Sequence, residues 1–217
     1  MKKQLIAASL ILGLAGCAAT PDLPAGYTPN EARQEGVAIV SLTLGGKPLN
    51  RMESFIYRLR AVPPRDTAHA AVTHYYDSPR QHARSIWASD QDRPFTRAIV
   101  VKGLDNSEPL DIRASGEPAG RVAILRLTPG EYEIHTWRLR EPVTGGTAEY
   151  APPRDFSYRF NIKAGEAVYL GRLDLRFDGH NIQRLALEDR RAEDIALVGR
   201  KHPALSADKI VSAVGAL

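Results

Sequence analysis

Apolar and polar residues alternate with a period of two along much of the chain after residue 36. The alternation is clearest at 156–162 and 167–177, where aromatic or aliphatic residues take nearly every second position. This period indicates strands that bury one face and expose the other, as in antiparallel sheets. Further strands are predicted from short apolar runs at 37–44, 55–59, 98–101, 121–128, 131–138 and 182–187. About seven strands with short turns predict an all-β fold, an antiparallel β-sandwich over residues 37–188.

Two stretches depart from this alternation. Residues 61–95 show no clean period and are predicted to form a long irregular insert, in which 78–87 could form a short helix. Residues 189–217 instead carry helical spacing, which Pro203 divides into two segments. We therefore predict two short C-terminal helices, the second capped by Ser206, that pack on an edge or cover an open end of the sandwich.

The start of the chain carries a third pattern. Lysines at positions 2 and 3 precede a nearly uninterrupted apolar run at 5–19. A membrane-spanning helix needs about 20 apolar residues, so this run is short for a permanent span. It fits the hydrophobic region of a signal peptide, which follows a positively charged start. The run contains Leu14-Ala15-Gly16-Cys17, and Cys17 is the only cysteine of the 217 residues.

The segment 14–17 resembles the lipobox of bacterial lipoproteins. The resemblance implies that 1–16 is a signal peptide and that Cys17 is acylated, which would hold the protein at a lipid bilayer. Family members retained at the inner membrane carry Asp after the cysteine, so Ala18 implies the outer membrane, with the protein facing the periplasm. Residues 17–36 are then expected to form a lipidated flexible tether, reaching about 60 Å when extended. An ordinary secretory signal with an incidental cysteine is the alternative.

The charge balance argues against a nucleic-acid partner. The chain has 29 basic and 25 acidic residues, a net charge of +4. Without Lys2 and Lys3 it has 27 basic residues, and the net charge falls to +2 with the two signs interspersed. Nucleic-acid binding needs clustered positive charge, so we expect no such partner. With its one cysteine acylated, the protein would also form no intramolecular disulfide.

The histidines of the insert are weak candidates for metal ligands. His69, His74 and His82 lie near several aspartates, and both residue types bind zinc and similar metals. His69 and His74 are five positions apart, however, and only spacings of three and four share a helix face. We interpret them as surface histidines, and we expect neither a metal site nor a cofactor.

Catalytic chemistry is also not predicted. His135 and Glu133 are two residues apart on the polar face of a predicted strand, where they could in principle exchange protons. We interpret them instead as a solvated contact along that face. No serine motif of a known hydrolase accompanies them, and acylation would occupy the one cysteine. The sequence therefore predicts a protein without catalytic residues.

Two further motifs suggest the type of sandwich. The segment 127–134 resembles a strand of transthyretin-like and carboxypeptidase-regulatory-like domains, and 165–171 resembles a strand of uncharacterised bacterial lipoproteins with such a domain. These families share a fold and no common reaction. The tether, the sandwich and the absence of a catalytic set together predict a non-enzymatic interaction or assembly module of the cell envelope, with an envelope protein as partner. The alternative is a periplasmic lipoprotein that binds a small molecule or metal through 61–95.

Overall fold

The computed structural model describes residues 23, 26–63, 96–103, 110–113, 118–178 and 182–217. This part of the chain contains ten strands and one α-helix, α1. The strands are β1 (Gly36–Gly45), β2 (Ser54–Val62), β3 (Thr96–Gly103), β4 (Ala119–Leu127), β5 (Gly130–Val143), β6 (Gly146–Tyr150), β7 (Tyr158–Ile162), β8 (Ala167–Asp178), β9 (Ile182–Glu188) and β10 (Ile210–Ser212). Helix α1 spans Arg191–Lys201, and short 3₁₀ helices occupy Leu49–Arg51 and Ala207–Lys209.

Several predicted features lie outside the described residues. They are the signal peptide 1–16, Cys17, residues 64–95 of the predicted insert 61–95 with its histidines His69, His74 and His82, and the short helix at 78–87.

The strands form two five-stranded sheets. Sheet A has the order β10-β8-β1-β4, and β9 also pairs with β8; sheet B has the order β3-β2-β5-β6, and β7 also pairs with β5. Alternate side chains of both sheets form one core, with Trp137, Tyr57 and Tyr158 among its largest members. The prediction of a mostly β fold is thus confirmed, and two sheets that share a core are consistent with a β-sandwich.

Two details of the predicted sandwich are wrong. The expectation of seven strands is too low, since ten are present among the described residues. The expectation of purely antiparallel pairing is also wrong, because β1 and β10 both run parallel to β8. Parallel neighbours need a long connection, and the whole of sheet B lies between β1 and β8 in sequence. A period of two identifies a strand and its buried face, but it carries no information about the direction of the neighbouring strand.

The C-terminal region contains one α-helix rather than two. The predicted second helix is only the 3₁₀ turn Ala207–Lys209, which leads directly into β10. The Ser206 hydroxyl donates to the Asp208 carboxylate at 2.5 Å and caps no backbone amide. Ile210 pairs with Ala167 of β8 as part of a strand, so the apolar residue that suggested a helix is buried by sheet formation instead.

Strand β1 in sheet A is buried on both faces, since nine of its ten residues are buried. The outer face of sheet A carries a second apolar cluster, in which Ile39 and Tyr169 of the sheet pack with Ile195 and Val198 of α1. Polar contacts fix the helix there, because the Tyr169 hydroxyl donates to Asp194 at 2.7 Å and the Arg172 guanidinium pairs with the same carboxylate. Asp194 is fully buried by this arrangement.

The N-terminal segment joins the same cluster, which changes the expected tether. Leu23 and Tyr27 are both buried against the outer face of sheet A, with 4% and 8% of their surface exposed. The Tyr27 hydroxyl donates to the Glu35 carboxylate at 3.2 Å, and the Gly165 amide donates to the Glu35 carbonyl at 2.8 Å. The described part of 17–36 is therefore packed on the domain, and only the residues before Leu23 remain candidates for a tether.

Gly120 of β4 lies where the backbones of β1 and β4 approach each other closely. A Cβ atom at this position would lie 1.9 Å from the Leu42 carbonyl oxygen, a backbone atom that cannot move aside easily. We expect Gly120→Ala to lower the free energy of unfolding by about 1–3 kcal/mol, as overpacking does.

The matched control is Gly199→Ala on the exposed side of α1, where a Cβ meets nothing within 4 Å. It should raise stability by up to about 1 kcal/mol, because alanine favours helix. Urea unfolding would measure both changes, and equal effects would contradict the described strand packing.

Candidate functional site

The outer face of sheet B, which points away from sheet A, carries a row of alternating charges. Arg60 of β2 pairs in register with Glu133 of β5, and Glu133 pairs with Arg159 of β7. Arg60 Nε donates to Glu133 Oε2 at 2.6 Å, and the Arg159 guanidinium lies 3.8 Å from Oε1. The Ser157 hydroxyl also donates to Oε1, at 2.6 Å. Opposite charges on neighbouring strands stabilise a sheet and fix the side chains of this Glu133 row.

A second row on the same sheet has the reverse order of charge. Arg140 of β5 lies between Glu53, just before β2, and Glu149 of β6. Arg140 Nη1 donates to Glu53 at 2.7 Å, and Arg140 Nε lies 3.9 Å from the Glu149 carboxylate. Arg138 adds a 3.0 Å contact to Glu149. In this Arg140 row a cation is flanked by two anions, whereas the Glu133 row places an anion between two cations.

The environment of Glu133 determines what the site can do chemically. Burial alone would raise the pKa of Glu133, but the hydrogen bonds from Ser157 and Arg60 outweigh it, so the pKa is lowered. Glu133 is therefore ionised at neutral pH and is a weak proton acceptor. Ser157 donates to this weak base, an arrangement that does not activate a serine as a nucleophile. The geometry fits the display of fixed charges better than proton transfer.

The interpretation of His135 and Glu133 as a solvated pair is wrong. His135 is fully buried and Glu133 is 3% exposed. A β-bulge separates them, because Arg58 pairs with Thr136 while Leu59 pairs with Ile134, which leaves His135 as the extra residue. His135 Nδ1 lies 3.7 Å from the Asp155 carboxylate, and its carbonyl accepts a hydrogen bond from the Phe156 amide at 3.0 Å. These two contacts hold His135 next to Asp155 and Phe156.

Sequence reasoning also missed the buried centre of this face. Arg58 and Ile56 alternate with core residues of β2 and so point away from sheet A, yet they are 3% and 1% exposed. The rim stays accessible, since the side chains of Arg159 and Glu149 are 57% and 42% exposed. The only signal in the sequence is Ile56 itself, an apolar residue at a position that the alternation assigns to the polar face.

The remaining candidate residues are not brought together by the described part of the chain. It contains no group of three or more His, Cys, Asp or Glu residues that could hold a metal ion. Cys17 and the histidines His69, His74 and His82 lie outside it, so the predictions for them stay predictions. Within the same residues, no helix combines the length and hydropathy that crossing a bilayer requires.

Comparison with known proteins does not identify a family for this chain. No family model matches the chain, no curated protein matches it, and no solved structure matches it. The lipobox and the likeness to transthyretin-like domains therefore remain resemblances of short segments.

Glu133 should make a pH-dependent contribution to stability. Because its folded pKa lies below the ordinary value of 4.5, the contribution is present above that value and is lost as the pH falls through the folded pKa. We expect Glu133→Gln to lower the free energy of unfolding by about 1–3 kcal/mol at neutral pH, the worth of hydrogen bonds to a charged group. The deficit should shrink as the pH falls below 4.5.

The control for this experiment is Glu149→Gln, at the exposed rim of the same sheet. Exposed ion pairs contribute little, so its unfolding free energy should stay within about 1 kcal/mol of the parent at every pH. Urea titrations at several pH values would measure both variants. A deficit for Glu133→Gln that does not change with pH would contradict the assigned ionisation.

Proposed function

We propose that this protein is a lipid-anchored, non-enzymatic module of the bacterial cell envelope. In this proposal acylated Cys17 holds the β domain at the outer membrane, facing the periplasm. The lipobox-like segment 14–17 supports the anchor. The observation that carries the proposal is this segment, and the burial of Leu23 adds that a buried residue of the domain lies only six residues after the cysteine. A domain attached so closely would remain at the bilayer surface.

The charged rows of sheet B support an interaction with another envelope protein. Their charges are fixed by contacts within the protein, and their rim residues are exposed. The Glu133 row and the Arg140 row have opposite orders of charge. They therefore favour one orientation of a partner with complementary charges, because in the reverse orientation like charges would face and repel each other. The lowered pKa of Glu133 favours binding over acid–base catalysis at this face. A sandwich of transthyretin-like type remains part of the proposal, and it carries no implied reaction.

The anchor is tested by replacing the cysteine. We expect Cys17→Ala to abolish incorporation of labelled fatty acid and to release the protein from the membrane fraction. Ala19→Ser is the matched control, because it lies two residues further on and leaves segment 14–17 intact. It should label and fractionate like the parent. Unchanged labelling of Cys17→Ala would refute the proposed lipoprotein.

The partner surface is tested by photo-cross-linking in intact cells. Asn161 of β7 is exposed beside the Glu133 row and takes no part in it, so a cross-linking amino acid there leaves the row intact. Ala196, exposed on α1, is the control position. We expect a protein adduct from position 161 that weakens when Arg159→Glu reverses one charge of the row. Adducts of equal yield from position 196, or adducts insensitive to Arg159→Glu, would contradict the assignment.

A further inference from the structure

The N-terminal segment is fixed to one end of the domain. Arg126 lies over the Tyr27 ring at 5.9 Å, and Arg126 pairs in register with Val37 near the start of β1. Burial and then the neighbouring Glu35 carboxylate raise the pKa of Tyr27 to about 12, so its hydroxyl stays protonated and keeps donating to Glu35. Arg33 contacts the same carboxylate at 3.0 Å. These contacts place residues 27–35 at the end of the sandwich where β1 begins.

The same end carries the turn before β8. The Val37 amide donates to the Glu166 carbonyl at 2.9 Å, and the Gly165 amide of the turn at 163–166 donates to the Glu35 carbonyl at 2.8 Å. Exposed basic side chains occur on both parts, with Arg33 57% and Lys163 69% exposed, and each pairs with a glutamate, Arg33 with Glu35 and Lys163 with Glu166. Glu31, Glu35 and Glu166 lie on the same two parts, so three acidic and two basic residues give no net charge attraction to anionic lipid. We call the surface formed by residues 27–35 and 163–166 the proximal end.

The β5–β6 hairpin lies at the opposite end. Lys47, just after β1, pairs with Glu141 of β5 and donates to the Tyr150 hydroxyl of β6 at 3.2 Å. The hairpin tip carries Val143, which is 47% exposed. Strand β5 has 14 residues and starts at the proximal end, where Gly130 pairs with Ile162. At roughly 3.3 Å per residue, the tip therefore lies about 40 Å from the proximal end.

The short tether cannot span that distance. Six residue steps separate Cys17 from Leu23, and at roughly 3.3–3.6 Å each they reach about 20 Å. Leu23 is four residues from Tyr27, so it lies at most roughly 14 Å from the proximal end and at least about 26 Å from the hairpin tip. An orientation with the tip at the bilayer would pull the anchor beyond its reach.

We propose that the proximal end faces the phospholipid headgroups and that the β5–β6 hairpin points away from the membrane. The inference rests on the proposed acylation of Cys17, and it adds the surface that meets the lipid. The tether sets the orientation by its length, because the hairpin tip lies further from Leu23 than the tether can reach. The hairpin tip with Val143 and the Arg140 row are then the parts of the module furthest from the membrane.

The orientation is measurable because the only cysteine would be acylated. An introduced cysteine then reacts selectively with a fluorescent maleimide. We would prepare the full-length processed lipoprotein as Arg33→Cys, Lys163→Cys and Val143→Cys, and reconstitute each in vesicles of phosphatidylethanolamine and phosphatidylglycerol with a spin-labelled headgroup lipid as quencher. Quenching should be several-fold stronger at positions 33 and 163 than at 143. Equal or stronger quenching at 143 would overturn the orientation.

Two controls separate this inference from the proposed anchor. Flotation of the vesicles reports anchoring, and Cys17→Ala should fail to float; if it floats like the parent, the anchor itself is refuted. A flexible Gly/Ser segment inserted between Ala19 and Thr20, doubling or tripling the tether, should leave flotation intact and reduce quenching at positions 33 and 163. If the lengthened protein floats and its quenching is unchanged, the anchor stands and the tether does not set the orientation.

Discussion

Strand β1 of sheet A is buried on both faces, and the need to cover the apolar part of its outer face, at Val37 and Ile39, shapes the rest of the molecule. Nine of the ten residues of β1 are buried, which is unusual for a strand at the surface of a two-layer sandwich. The cover comes from the two ends of the chain, with Leu23 and Tyr27 on one side and α1, Leu205 and Ile210 on the other. Because the N-terminal cover is part of the fold, only six residue steps separate it from Cys17.

The N-terminal cover therefore affects both the stability of the domain and its distance from the proposed lipid anchor. Leu23 and Tyr27 stabilise the fold through the second apolar cluster, and their positions also set where the domain begins after Cys17. The C-terminal cover is held in a similar way, by a buried carboxylate, since Asp194 accepts from Tyr169 and pairs with Arg172. Burial and then the Asp194 contact raise the pKa of Tyr169, which keeps this hydroxyl protonated as a donor. Both covers combine apolar burial with polar contacts to a buried carboxylate, Glu35 in one and Asp194 in the other.

Sheet B has the opposite character on its outer face. Its charges pair across strands, and Glu133 is held ionised by Arg60 and Ser157 despite its burial. Fixed charges of this kind lose little conformational freedom on binding, which favours specific recognition. The two faces of the domain thus have different tasks in the proposed function. Sheet A carries the attachment of the chain, and sheet B carries the surface proposed for a partner.

The sequence predicts the strands well where one face is apolar, as at 156–162 and 167–177, because period two follows directly from the pleat. It does not reveal the parallel pairing of β1 with β8, which depends on the path of the chain between them. The bulge at His135 is invisible for a related reason, since it exists only in the register between β2 and β5. The buried tether residues were missed because Leu23 and Tyr27 are isolated apolar residues among prolines. One signal was available: 37–44 is a nearly continuous apolar run, which is typical of a strand that is covered on both faces.

Hydrogen exchange of residues 30–37 in the mature protein tests the central claim most directly. The claim is that this part of the chain belongs to the folded domain. The Gln34 amide donates to the Glu31 carbonyl at 2.9 Å, the Glu35 amide to Asn30 at 3.0 Å, and the Val37 amide to Glu166 at 2.9 Å. Mass spectrometry of exchanging peptides should find these amides protected together with β1. Exchange at the rate of an unstructured peptide would contradict the account and return residues 17–36 to a free tether.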